Sequence, residues 1–81
     1  MSNGAEQIKN FTKVENILHY WNTAIGYLKA KDKENARDNF DICLIIAAKA
    51  SEDGIKELAG VSVDLWKIRS WVKLENNGLL M

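Results

Sequence analysis

Eighty-one residues, 47% hydrophobic and 27% charged, specify one small globular domain rather than a disordered chain. A domain of this length buries only about 60% of the surface that its unfolded chain exposes, so it gains from association. Eleven basic residues balance eleven acidic ones, which excludes a global electrostatic pull toward nucleic acid or an anionic membrane.

Proline is absent, so long periodic segments can run as unbroken helices. The single cysteine, Cys43, excludes an internal disulfide and points to a reducing, cytoplasmic setting. The opening "MSNGAEQIKN" lacks the hydrophobic core of a signal peptide. The longest nearly apolar run, "ICLIIAAKA", is too short to span a bilayer, so no membrane association is expected. Abundant Lys, Asn and Ile hint at an AT-rich genome, such as that of a phage or low-GC microbe.

Residues 1–10 read as a flexible lead. The first helix is expected over residues 11–30, where Phe11, Val14, Leu18, Trp21, Ile25 and Leu28 recur by threes and fours. Thr12 and Glu15 form a capping-box pattern. Glu15, His19, Asn22, Thr23 and Lys29 make the polar side.

The second helix is expected over residues 33–50, with Asp32 as its N-cap. Ala36, Phe40, Cys43, Ala47 and Ala50 form one stripe, and Ile42, Leu44, Ile45 and Ile46 fill most of the remaining circumference. A helix apolar nearly all round is covered on several sides, so this one is central. Tyr20, Thr23, Ala24 and Tyr27, followed by Ala36 and Phe40, resemble a tetratricopeptide-type hairpin, W-x2-L-G-x2-Y then A-x3-F. The same hairpin resembles that of three-helix microtubule-interacting-and-transport domains. The resemblance covers about a third of the chain, does not repeat further on, and implies an antiparallel helical hairpin rather than membership of either family.

The third helix is expected over residues 52–75, capped by Ser51, with "NNG" as its stop and residues 76–81 as a tail. Alternatively, Gly54 ends the second helix in a left-handed cap. Leu58, Val61, Leu65, Ile68 and Val72 are spaced as a heptad seam running through Gly60. The phrase "LAGVSV" within it resembles the opening of the recognition helix in lactose-repressor-type helix-turn-helix proteins. That resemblance implies a helix ending at Ala59, a turn at Gly60 and a DNA-reading helix from Ser62. It covers six letters; Arg69 stands where the motif needs an apolar residue, and Lys56 where it needs a small one. The continuous helix is the leading expectation and the helix-turn-helix its rival.

On that continuous helix Val63, Trp66, Ser70 and Leu74 form a second stripe away from the seam, with Trp71 on another flank. A bundle of three helices has no use for a second apolar face, so these five residues are the expected partner or dimer interface. Lys67, Arg69 and Lys73, interleaved with the tryptophans, are the candidate nucleic-acid contacts. His19 is expected in solvent and Cys43 in the core, with no Cys/His cluster for zinc and no glycine-rich phosphate loop. Asp38 and Asp41 share a side of the second helix. No catalytic, metal-binding or cofactor-binding residues are assigned, and no cofactor is expected.

The expected fold is therefore all-α: a three-helix, antiparallel, up-down-up bundle with heptad-like seams and a central second helix, forming a homodimer. The expected function is that of a non-catalytic protein-interaction module, a small regulator or inhibitor that binds a protein partner through the aromatic face of the third helix. The alternative is a small nucleic-acid-binding protein using residues 66–73.

Overall fold

The computed structural model describes residues 16–79. They form three helices and one short hairpin: α1 (Ile17–Lys29), α2 (Lys33–Glu52), β1 (Glu57–Leu58), β2 (Val61–Ser62) and α3 (Val63–Asn76). The expected lead segment, Phe11, Val14 and the Thr12–Glu15 capping box lie outside the described residues.

The stripe read on α2 is the core of the molecule. Ala36, Phe40, Cys43, Ala47 and Ala50 are fully buried, joined by Ile46. One cluster joins Ile17 at the start of α1 to Cys43–Ala50 on α2 and to Val63 and Trp66 at the start of α3. A second joins Ala24 on α1 to Ala36 and Phe40 on α2 and to Leu74 and Leu79 at the far end of the chain. Trp21 ties the layers together: its ring meets Phe40 edge-on at 5.3 Å and Trp66 edge-on at 5.6 Å, separations favourable for aromatic pairs.

The helix ends are set by local chemistry. Asp32 caps α2 by accepting from the Asn35 amide at 3.3 Å, and Ser62 caps α3 by accepting from Leu65 at 3.1 Å. All three helices stop in the same way. Lys31, Gly54 and Gly78 take φ of 63°, 80° and 66°. The following amides of Asp32, Ile55 and Leu79 reach back to the carbonyls of Tyr27, Ala50 and Leu74. These are Schellman closures, which satisfy orphan carbonyls. At the last of them Leu79 folds into the cluster beside Leu74, so the expected tail contributes a core residue.

Two expectations are corrected. On α1 the buried positions are Ile17 and Ala24, whereas Leu18 is 47% exposed. The face is rotated rather than replaced: Trp21, Ile25 and Leu28 of the expected stripe still pack against the core, and Ala24 is buried in one cluster with Ala36 and Phe40. The larger change is in the third helix, which starts at Val63 rather than at residue 52. Residues 57–62 fold back as an antiparallel hairpin, Glu57 opposite Ser62 and Leu58 opposite Val61. Its central residues, Ala59 and Gly60, have φ of 51° and 77°; positive φ at both is the mark of the type I′ turn that suits two-residue hairpins. The seam through Gly60 is therefore broken. Ser62 does begin the last helix, as the repressor-type resemblance requires. But α2 ends at Glu52 and a hairpin intervenes, in place of the companion helix and the turn of about 3–4 residues of that motif.

Candidate docking groove

Starting α3 at Val63 decides which of its two apolar stripes faces inward. Val63, Trp66, Ser70 and Leu74 are spaced by three and four and are all buried. Trp66, only 2% exposed, is the largest of the fully buried side chains, and its indole N–H donates to the Leu58 carbonyl at 2.8 Å. The hairpin thus supplies the polar partner that a buried Trp needs. Four of the five expected interface residues therefore lie inside the protomer.

Of the expected seam, Leu58 is buried and Val61 packs against the core, but the part on α3 lies outside. Leu65, Ile68 and Val72 are 40%, 58% and 41% exposed. Trp71, the remaining expected interface residue, stands among them at 51%. Across from it on α2, Ile45 is 52% exposed. Ile45, Ile68, Trp71 and Val72, with Leu44 and Ala48, line an open groove of about 600 Å³ between α2 and α3. Periodicity alone could have found this face: Leu44, Ile45 and Ala48 share one flank of α2, beside its core stripe. Leu44 and Ile45 were expected to be covered because a central helix is covered on several sides.

The candidate nucleic-acid residues do not form one patch. Lys67 borders the groove. The Arg69 guanidinium lies 6.0 Å from the Trp66 ring centre, within cation–π range. Arg69 and Lys73 are one helical turn apart, on the side of α3 away from Ile68. Asp64 and Glu75 interrupt the basic series at the two ends of the helix.

The remaining titratable groups offer little chemistry. Cys43 is free and buried, and burial pushes its thiol up to about 12, so almost no nucleophilic thiolate exists near neutrality. Its Sγ lies 3.7 Å from the Ile17 carbonyl. His19 is exposed and packs edge-on against Tyr20 at 5.2 Å. Asp41 is raised above its ordinary value by partial burial; the nearby Arg37 opposes the shift and Asp38 adds to it. Among the described residues no three His, Cys, Asp or Glu side chains group as metal ligands would. No described helix is long and apolar enough to cross a membrane. A second hollow, of about 430 Å³, lies where the hairpin meets the start of α3, lined in part by Ser51, Lys56, Ser62 and Asp64. Comparison with family models, characterised proteins and solved structures gave no match.

Proposed function

We propose that the chain is a non-catalytic protein-interaction module, a small helical regulator or inhibitor that receives a protein partner in the groove between α2 and α3. The observation that carries this reading is the exposure of Ile45, Ile68, Trp71 and Val72 in one continuous strip, whereas the other exposed large apolar side chains among the described residues, Leu18, Tyr27 and Leu65, do not line the groove. Exposed apolar patches of this kind mark interaction sites, and Trp is favoured as an anchor. The two core clusters support an up-down-up path, since each joins the opposite ends of consecutive helices. A cytoplasmic setting fits the free, buried cysteine.

The groove is the exposed apolar face left to a homodimer, because the stripe of Val63, Trp66, Ser70 and Leu74 is buried within the chain. Sedimentation at micromolar concentration tests that dimer; a monomer throughout removes it. The partner reading is tested by comparing the proteins retained from the native host by the wild type and by Trp71→Ala. Loss of a specific bound protein, with the helical circular-dichroism signal unchanged, is the expected outcome. Identical retention by both sinks the assignment of the site. The nucleic-acid alternative draws less support from the geometry, because Lys67 is separated from Arg69 and Lys73. It predicts retardation of DNA or RNA at low salt that weakens steeply as salt rises.

A further inference from the structure

The groove is apolar along its floor and acidic at both ends. On α2, Asp41 lies one turn before Leu44 and Ile45, and Glu52 one turn after Ala48. On α3, Asp64 lies one turn before Ile68, and Glu75 one turn after Trp71. All four are exposed. The end of α2 that carries Ala50 packs against the start of α3 at Val63 and Trp66. Glu52 and Asp64 therefore flank one end of the groove, and Asp41 and Glu75 the other. Opposing them on this face are Lys67, Lys49 at the outer margin of α2, and Arg37, whose guanidinium pairs with Asp38 at 3.3 Å. A molecule of zero formal net charge thus presents a net negative docking face.

We infer that the groove between α2 and α3 receives an amphipathic helix of another protein, with an apolar stripe that seats on Ile45, Ile68, Trp71 and Val72 and Lys or Arg residues that meet the carboxylates at both ends. This rests on the interaction-module reading above. A fourth helix fits because two packed helices leave a concave lane between them that an i, i+3/i+4, i+7 stripe fills. Charge decides against a second copy. With carboxylates at both ends, two such faces laid with their grooves aligned, parallel or antiparallel, bring acid against acid, and like-charge juxtaposition disfavours a partner. A basic-flanked helix meets complementary charge at both ends.

The experiment titrates the full chain with two synthetic helical peptides of about four turns, free of Trp and sharing one Leu stripe, one flanked by Lys and the other by Glu. The readout is a blue shift of the chain's Trp emission that is absent from Trp71→Ala, with calorimetry for affinity. The basic peptide is expected to bind at least about tenfold more tightly than the acidic one, to lose that advantage as salt rises, and to stop binding to Trp71→Ala. Asp41→Asn combined with Glu75→Gln should shrink the preference without abolishing binding. Equal binding of both peptides overturns the charge inference and leaves the groove as a docking site. Binding of neither, with a dimer that Trp71→Ala dissociates, overturns it in favour of a second copy. Binding of neither by a chain that sediments as a monomer overturns both this inference and the groove as a docking site.

Discussion

At the scale of single residues, Ser70 shows how burial changes a side chain's meaning. In the sequence it sits between tryptophans and reads as one position of the expected interface stripe. In the fold it is completely buried, and its hydroxyl has no hydrogen-bond partner. A small residue is needed there, because α3 lies close to its neighbours between Trp66 and Leu74, but the oxygen is not. An unsatisfied buried hydroxyl costs about 1–3 kcal/mol, and Ala is also the better helix former. Ser70→Ala should therefore raise the unfolding free energy by about 1 kcal/mol, measured as a higher urea midpoint at unchanged slope. A lower midpoint would show that the hydroxyl is bonded in solution. Trp66 is the contrasting case: equally buried, it has its one polar atom satisfied by Leu58.

At the scale of elements, α2 was legible and α3 was not, for a physical reason. An α2 stripe of Ala36, Phe40, Cys43, Ala47 and Ala50 has one phase, and Asp32 marks its start on the sequence. The last helix carries two apolar stripes, Leu65–Ile68–Val72 and Val63–Trp66–Ser70–Leu74, and periodicity alone cannot rank them. The ranking is made by the hairpin, whose strands of two residues each are too short to show alternation. Its turn is Ala-Gly rather than the Asn-Gly that usually announces a type I′ turn. Ala59, at φ 51°, sits in a region that costs a residue other than Gly roughly 1–2 kcal/mol, a cost that Asn bears better. Ala59→Asn should therefore stabilise the protein by about 0.5–1 kcal/mol. In a continuous helix the same change would destabilise by about 0.5 kcal/mol, because Asn is a poorer helix former than Ala. The sign of the shift in thermal midpoint decides between hairpin and helix. Gly60 also adopts positive φ, at 77°, but a Cβ there would meet nothing within 4 Å. The cost of Gly60→Ala is thus confined to the backbone.

At the scale of the whole molecule, the question is which face of α3 holds the three helices together and which is left for a partner. The two tryptophans of that helix separate the answers. Trp66 touches Trp21 of α1 and holds the hairpin through Leu58, so it joins three parts of the chain. Trp71 stands half exposed over the groove. Removing a buried Trp costs about 3–5 kcal/mol, and a domain of this size has only about 5–15 kcal/mol of stability in all. Surface substitutions away from special features usually change stability by no more than about 0.5 kcal/mol. In denaturant titrations Trp66→Ala should thus lower the midpoint steeply, while Trp71→Ala should stay close to the wild-type midpoint. Comparable losses in the two variants would mean that α3 is turned differently on α2. The reverse order, with Trp71→Ala the more damaging, would restore the heptad seam as the core and return the Trp66 stripe to the surface. A chain that keeps Ile68 and Trp71 in solvent at little benefit to its own stability has kept that face free of its own core, which is the condition a docking site requires.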